Sequence, residues 1–169
     1  TELRDIQIAA CETIFDTDDN LLLSSGTASG KTEAAFLPVL TELYNNPSAS
    51  VGVLYISPLK ALINDQFKRL EYLLQQSNLP VYKWHGDASA AEKNRLLKHP
   101  EGILQITPES LESLLIRKRG ACGTLFRDLR FVIIDEVHYF MRDVRGVQVL
   151  CLLERLQRLT GNIPRRIGL

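Results

Sequence analysis

The sequence predicts an α/β domain in which a mainly parallel sheet is covered by helices on both faces. Two features of the chain predict this fold class. Short apolar runs alternate strictly with amphipathic stretches, and the apolar runs are nearly continuous. Strands of that kind, separated by helices, are typical of parallel sheets whose faces are both buried. Ligands in such folds collect at the carboxyl ends of the strands, so we expect the functional residues there.

The strand predictions rest on the apolar runs, and the helix predictions rest on apolar residues that recur every three or four positions. The predicted strands span residues 20–24, 51–56, 81–85, 103–106, 131–135 and 166–169. The predicted helices span residues 2–15, 32–44, 59–76, 88–97, 109–117 and 147–159. The sequence shows no repeat, no low-complexity tract and no linker, and "NNPSAS" at 45–50 is predicted to be an ordinary loop.

The composition excludes several classes of protein. The chain of 169 residues has the length of one domain with its own core. Its 20 lysines and arginines balance 20 aspartates and glutamates, so a contact with nucleic acid would come from local patches. The cysteines lack the spacing of metal ligands, which indicates a reducing compartment. No apolar run reaches the length of a membrane span and no secretory pattern is present, so we expect a soluble, cytoplasmic protein with no membrane partner.

The first predicted strand leads into a glycine-rich turn, "SGTASGKT" at 25–32, that has the composition of a phosphate-binding loop. Its small residues allow several backbone N–H groups to converge on one anion, and Lys31 would bring a positive charge to the outer phosphates of a nucleotide. The hydroxyl of Thr32 would bind the accompanying Mg²⁺. Ser25 stands where the pattern has its first glycine, and a flexible turn with an incidental lysine is the alternative. The candidate nucleotide-binding residues are Gly26, Thr27, Ala28, Ser29, Gly30, Lys31 and Thr32.

A second strand ends in two carboxylates, as a nucleotide site with a metal requires. The apolar run at 131–134 is followed by Asp135 and Glu136. Asp135 would hold Mg²⁺, and Glu136 would polarise the water that attacks the outer phosphate. An acidic junction between a strand and a loop is the alternative for this feature alone. The carboxylates and the glycine-rich turn together favour a site that hydrolyses a nucleotide.

With "GTASGKT" followed by "DEVH" at 135–138, the chain resembles the first motor domain of the DEAD/DEAH-box helicases of superfamily two, which is a RecA-like phosphate-loop domain. Further stretches follow in the family's order. "RDIQ" at 4–7 resembles the adenine-reading Q motif, "SPLKALINDQ" at 57–66 resembles motif Ia, and "TPES" at 107–110 resembles motif Ib. "HGD" at 85–87 lies where the family keeps a loop beside the nucleic acid. Within the family the chain looks most like Lhr-like and related large bacterial helicases.

The resemblance implies a role for each matching residue. Gln7, with Arg4, would read adenine, since an amide offers both a donor and an acceptor; an exposed helix glutamine is the alternative. His138 would couple the nucleotide site to the second motor domain, and it joins Lys31, Asp135 and Glu136 in the predicted catalytic set. A packed histidine and a solvated lysine are the alternatives for His138 and Lys60. The predicted nucleic-acid contacts are Ser57, Pro58, Lys60, Gly86, Asp87, Thr107, Pro108 and Glu109.

Three further basic features remain open to two interpretations. The run "IRKRG" at 116–120 would either lie near a bound strand or interact with a helix C-terminus. Arg142 and Arg145 are either contacts to nucleic acid or surface charges. No aromatic residues interleave with these cations, so base stacking is not supported.

The resemblance implies an ATP-binding motor domain of an ATP-dependent DNA or RNA helicase, with ATP and Mg²⁺ as cofactors. The expected partners are single-stranded DNA or RNA and a second RecA-like domain of the same polypeptide. Residues 1–169 would be the N-terminal motor domain, and the arginine finger would lie in the second one. We therefore expect the isolated chain to bind ATP weakly and to hydrolyse it slowly or not at all. The alternatives are a double-strand translocase of a restriction, defence or remodelling system and a nucleotide-gated binding module without hydrolysis.

Overall fold

The computed structural model describes residues 2–26, 30–74 and 79–169. The strands are β1 (Leu21–Leu22), β2 (Val53–Ile56), β3 (Val81–Trp84), β4 (Ile103–Ile106), β5 (Phe131–Ile134) and β6 (Arg165–Gly168). The helices are α1 (Asp5–Asp16), α2 (Lys31–Asn45), α3 (Lys60–Leu74), α4 (Ala90–Lys98), α5 (Pro108–Arg117), α6 (Arg119–Leu125), α7 (Val137–Phe140) and α8 (Val144–Thr160). The predicted site residues Thr27, Ala28 and Ser29 lie outside the described residues.

The six strands form one sheet in the order β1-β6-β5-β2-β4-β3. All five pairings between neighbouring strands are parallel. Ile56 lies opposite both Ile106 and Ile134, so β2, β4 and β5 end level with one another. This confirms the predicted α/β fold and brings the strand ends to a single edge, which we call the carboxyl edge.

Helices cover both faces of the sheet because the side chains of each strand alternate between the faces. On one face, Tyr55 and Ile133 pack with buried residues of α1, α2 and α3. On the other face, Leu54 and Val132 pack with buried residues of α4, α5, α6 and α8. β2 and β4 are fully buried along their length, as expected for central parallel strands.

The observed boundaries differ from the predicted ones in a few places. The first strand is Leu21–Leu22 and not 20–24, since β1 lies at the edge of the sheet and pairs only with Ile167 and Gly168 at the end of β6. α8 begins at Val144, three positions before the predicted start, because Asp143 accepts a hydrogen bond from the Val144 N–H at 2.6 Å and caps the helix. α6 and α7 were not predicted. α6 contains Gly120 and Gly123, which disfavour a helix, and α7 has only four residues.

None of the helices within residues 2–26, 30–74 and 79–169 is both long enough and apolar enough to span a membrane.

Candidate nucleotide-binding site

The predicted motifs meet at the carboxyl edge, as the parallel topology requires. The phosphate-loop residues follow β1, the predicted motif Ia follows β2, and the predicted motif Ib follows β4. Asp135 and Glu136 follow β5, and "HGD" follows β3. The backbone hydrogen bonding between β2 and β5 continues past the end of β5, since the N–H of Asp135 donates to the Ile56 carbonyl at 2.9 Å.

Gly30 joins the phosphate loop to α2 and contacts the start of α1. It has a left-handed backbone with φ +85°, which favours glycine. A Cβ at this position would lie 3.0 Å from Nε2 of Gln7 and 3.4 Å from Nη1 of Arg4. Oε1 of Gln7 in turn accepts a hydrogen bond from the Arg4 N–H at 3.0 Å. The residues of the predicted adenine-reading motif therefore pack directly against the end of the phosphate loop.

Lys31 lies at the first position of α2 and bridges the loop. Its Nζ donates a hydrogen bond to the carbonyl oxygen of Ser25 at 3.1 Å, across the loop from its own backbone. Lys31 also lies close enough to Asp135 to act on that carboxyl electrostatically. The lysine predicted to bind phosphate and the carboxylate predicted to bind metal therefore lie at the same edge of the sheet, within electrostatic reach of each other.

Asp135 is buried, with only 7% of its surface exposed. Oδ2 accepts a short hydrogen bond from the hydroxyl of Tyr55, a fully buried residue of β2. Burial raises the pKa of Asp135, the charge of the neighbouring Glu136 adds to that effect, and the hydrogen bond from Tyr55 and the charge of Lys31 oppose it. The net result is a raised pKa, which favours the protonated form of this carboxyl. A cation bound nearby would favour the ionised form instead.

Glu136 adopts a left-handed backbone, with φ 51° and ψ 51°. Among the described residues it is the only non-glycine residue with positive φ. Its carboxylate Oε2 lies 3.2 Å from Nδ1 of His138, two residues further on, and both side chains are partly exposed. Backbone strain of this kind is concentrated at functional sites.

The oxygen ligands that Mg²⁺ prefers are present at this edge. The carboxylate of Asp135 and the hydroxyl of Thr32 are hard oxygen donors, and neither is a soft or nitrogen ligand. In the part of the chain that the structure describes, no group of three or more His, Cys, Asp or Glu side chains is arranged to hold a metal. Mg²⁺ in nucleotide sites does not need such a group, because it is held by one or two side chains, substrate phosphates and water. The donor set therefore fits this cation.

The predicted motif Ia and the "HGD" loop are joined by an ion pair. Nζ of Lys60 lies 3.3 Å from Oδ2 of Asp87, and both side chains are largely exposed. A Cβ on Gly86 would come within 3.4 Å of the same Nζ. Ser57 and Pro58 are buried as whole residues, so Lys60 is the predicted motif Ia contact that is exposed to a ligand. Lys60 and Asp87, both predicted contacts to nucleic acid, therefore lie side by side.

The predicted motif Ib caps α5. Oγ1 of Thr107 accepts a hydrogen bond from the Ser110 N–H at 3.4 Å, and Pro108 occupies the first helical position. Thr107 and Pro108 are buried, whereas Glu109 is exposed. The Glu109 carboxylate lies 2.7 Å from Nη2 of Arg145. Arg145, which the sequence left open, is thus paired within the protein.

The basic run at 116–120 lies away from these residues. α5 starts at the carboxyl edge and runs for ten residues, and Arg117 lies in its last turn. Ten helical residues span about 15 Å, so the run is at the opposite edge of the sheet. The structure therefore favours the interpretation that these cations interact with helix ends.

Fold and site together define a phosphate-loop nucleotide-binding domain, and comparisons with known proteins assign it to a family. The model of the DEAD/DEAH box helicase family matches residues 4–168. The chain belongs to this family.

Individual relatives agree with this assignment. The ATP-dependent helicase Lhr-Core of Methanothermobacter thermautotrophicus is 40% identical over 170 residues, covering 89% of this chain and 19% of that protein. A structure of Mycobacterium smegmatis helicase Lhr bound to single-stranded DNA and AMP-PNP superimposes with a TM-score of 0.81 and 33% identity, covering 96% of this chain and 22% of that one. A structure of the helicase MrfA bound to DNA and AMPPNP gives a TM-score of 0.87 and 28% identity, covering 99% and 24%. The chain thus spans about a fifth of the length of these proteins.

Proposed function

We propose that this chain is the ATP-binding motor domain of a helicase that couples ATP hydrolysis to movement along nucleic acid. The observation that carries the proposal is that the buried Asp135 at the carboxyl edge lies within electrostatic reach of Lys31 and directly precedes Glu136. A binding module without hydrolysis would need a cation for the phosphates but would have no need of Glu136. The membership of the DEAD/DEAH box helicase family supports the same conclusion.

Each residue of the site would have a separate role in phosphoryl transfer. Lys31 and the N-terminus of α2 would hold the outer phosphates, because a helix N-terminus presents unpaired N–H groups to an anion. Asp135 and Thr32 would hold Mg²⁺, which when bound neutralises phosphate charge. Glu136 would accept a hydrogen bond from the attacking water and polarise it. His138 would orient the Glu136 carboxylate through their 3.2 Å contact and respond to the second motor domain.

The adenine end of ATP would lie beside α1. Gln7 and Arg4 contact Gly30, so a base bound next to the phosphate loop would be within reach of their side chains. The Gln7 carbonyl oxygen already accepts the Arg4 N–H, and its second lone pair and its NH₂ group would serve the base. A bound ATP molecule would contact both α1 and α2, and this would link recognition of its base to the position of the phosphate loop.

The nucleic acid would cross the ends of β2, β3 and β4. Backbone N–H groups in the first turns of α3 and α5 and the ammonium of Lys60 would contact phosphates, which position a strand without reading its sequence. The two solved relatives were determined with DNA, one of them with single-stranded DNA. For this protein we propose single-stranded DNA or RNA as the bound nucleic acid. A second RecA-like domain of the same polypeptide would close the nucleotide site and supply an arginine.

ATP hydrolysis by the full-length polypeptide, with and without single-stranded DNA or RNA, tests the proposal. We expect one polymer to stimulate hydrolysis and Glu136→Gln to abolish the stimulation while ATP still binds. ATP binding without stimulation by either polymer would contradict the proposal and favour the nucleotide-gated binding module.

A binding measurement on the chain itself tests the nucleotide site separately. Lys31→Ala should weaken a fluorescent ATP analogue about tenfold or more, because a charge-assisted contact to phosphate is lost. Lys98→Ala, at an exposed position in the last turn of α4, is the matched control and should leave the affinity unchanged. Equal affinities of the two variants would contradict the assignment of Lys31.

A further inference from the structure

We propose that Arg145 is a positioning residue that fixes two segments, 57–59 after β2 and 107–109 after β4, in the arrangement that binds nucleic acid. We call these segments the strand-end loops, although the second includes the first two residues of α5. This inference rests on the proposed function, because it deepens the assignment of the nucleic-acid surface. Arg145 itself would not touch the strand.

The guanidinium of Arg145 contacts both loops at once. Its Nη2 donates a hydrogen bond to the carbonyl oxygen of Pro58 at 2.8 Å and lies 2.7 Å from Oε1 of Glu109. Pro58 follows β2 and Glu109 follows β4, and these strands are neighbours in the sheet. One side chain from α8 therefore links the two predicted nucleic-acid motifs, which have no covalent connection near this edge.

Arg145 and Gly146 pack against Phe140, at the end of the helix that follows Asp135 and Glu136. The next residue, Gly146, leaves no room for a side chain, because a Cβ there would lie 2.1 Å from the carbonyl oxygen of Phe140. The guanidinium carbon of Arg145 is 5.8 Å from the centre of the Phe140 ring. Phe140 ends α7, which begins directly after Asp135 and Glu136. A shift at these carboxylates would therefore be transmitted through α7 to both loops.

Two features argue against direct contact with a phosphate. The guanidinium is already occupied by a carbonyl and a carboxylate, and the side chain is only 29% exposed. Its Nε is buried and has no hydrogen-bond partner among the described residues, which is a cost in stability. The arginine is therefore not explained by stability alone. Pairing also neutralises Glu109, whose free carboxylate would repel a phosphate backbone.

Binding of a single-stranded oligothymidylate to the full-length polypeptide tests the inference. Arg145→Gln and Glu109→Gln should each weaken binding about tenfold, and the double variant should lose no more than either one, because residues that act as a unit are not additive. Arg145→Lys should recover only part of the affinity, since an ammonium lacks the planar fork of donors. The matched control is Arg158→Gln with Glu154→Gln, a 2.9 Å pair near the other end of α8, which should change nothing.

The salt dependence of binding separates positioning from direct contact. A phosphate contact releases counterions, so its loss would reduce the slope of log Kd against log salt by about one. Arg145→Gln should leave the slope unchanged. A reduced slope, additive losses, or normal binding by Glu109→Gln would each overturn the inference.

Hydrogen exchange supplies a readout that does not depend on nucleic acid. The Ser57 N–H bonds to Ile106 at 3.1 Å, and the Leu111 N–H bonds to Thr107 at 2.9 Å. In Arg145→Gln and Glu109→Gln both amides should exchange faster, while amides of β5 keep their rates. Unchanged exchange at both amides would overturn the positioning role. If exchange rises but the unaltered protein binds no oligonucleotide, the proposed function fails and the link between the loops stands.

Discussion

The hydroxyl of Tyr55 donates a hydrogen bond to Oδ2 of Asp135, and both residues are buried beneath the carboxyl edge. The ring of Tyr55 is itself held against Phe36 of α2, with the ring centres 5.7 Å apart. α2 begins at Lys31, so one tyrosine connects the helix of the phosphate loop to the carboxylate predicted to hold the metal. This contact limits how Asp135 can turn.

Replacing Tyr55 by Phe should destabilise the domain by about 1–3 kcal/mol, because a buried acceptor loses its donor while the ring packing is kept. Urea unfolding at neutral pH measures the effect. Tyr44→Phe, at a position that is 71% exposed, should change the free energy of unfolding by less than about 0.5 kcal/mol. Equal stabilities of the two variants would show that the hydrogen bond contributes nothing.

Asp135→Asn should stabilise the nucleotide-free domain at neutral pH. The folded-state pKa of Asp135 is raised, chiefly by burial, so the folded protein binds more protons than the unfolded chain once the pH exceeds the ordinary value. Stability from this group is therefore greatest at low pH and falls as the pH rises through the raised pKa. The advantage of Asn should shrink as the pH falls toward about 4. Unfolding midpoints across this range measure it.

Asp128→Asn is the control of opposite sign. Burial acts to raise the pKa of Asp128, but hydrogen bonds from the Ala49 N–H and Ser48 and the charge of Arg130 outweigh it, so the pKa is lowered. Its contribution is present at neutral pH and is lost as the pH falls through the lowered pKa. The Asn variant should therefore be less stable than the unaltered protein at neutral pH, and the deficit should close in acid. The same pH dependence for both variants would contradict these assignments.

Glu136→Gly should raise stability while abolishing hydrolysis. A left-handed backbone costs an ordinary residue about 1–2 kcal/mol, and glycine adopts it freely, although its greater freedom in the unfolded chain offsets part of the gain. Glu136→Gln removes the same carboxylate and keeps the strain, so the Gly variant should be more stable than the Gln variant by about 1 kcal/mol. Thermal unfolding of the two provides the comparison. A Gly variant that is no more stable would show that the backbone is relaxed.

Gly30→Ala should cost about 1–2 kcal/mol and weaken ATP binding, because its φ of +85° is unfavourable for alanine and the added Cβ would press on Gln7. Gly120→Ala is the matched substitution. Its Cβ would meet no atom of the described residues within 4 Å, and its place in α6 favours alanine by about 0.5–1 kcal/mol. Calorimetry and titration of a fluorescent ATP analogue separate the two effects. A tolerated Ala at 30 would exclude a tight phosphate loop.

The fold was predictable because its signals are local. The run at 53–56 is apolar on both faces, which indicates a central parallel strand, and the same holds for 103–106. The family followed from ordered motifs, and the comparisons confirm it. α6 was missed because its glycines oppose a helix in isolation, and tertiary packing of Cys122 and Leu125 overrides that preference.

The site was predictable in its residue types but not in its internal contacts. Nothing local in "VLYI" shows that the Tyr55 hydroxyl reaches a carboxylate 80 positions later. Arg145 could not be assigned for the same reason, since its partner Pro58 is 87 positions away. Such pairings depend on which strands become neighbours, and that information appears only in the assembled sheet.

The pairing of β1 with β6 bears on the order in which the domain folds. Leu21 lies opposite Ile167, and the Leu23 N–H bonds to the carbonyl of Gly168 at 2.9 Å. The side chain of Arg165 also binds the carbonyl of Asp19, 146 positions earlier. Contacts between such distant segments form late, because the intervening chain must first lose its freedom. During synthesis β1 would therefore gain its partner strand only after β6 has left the ribosome.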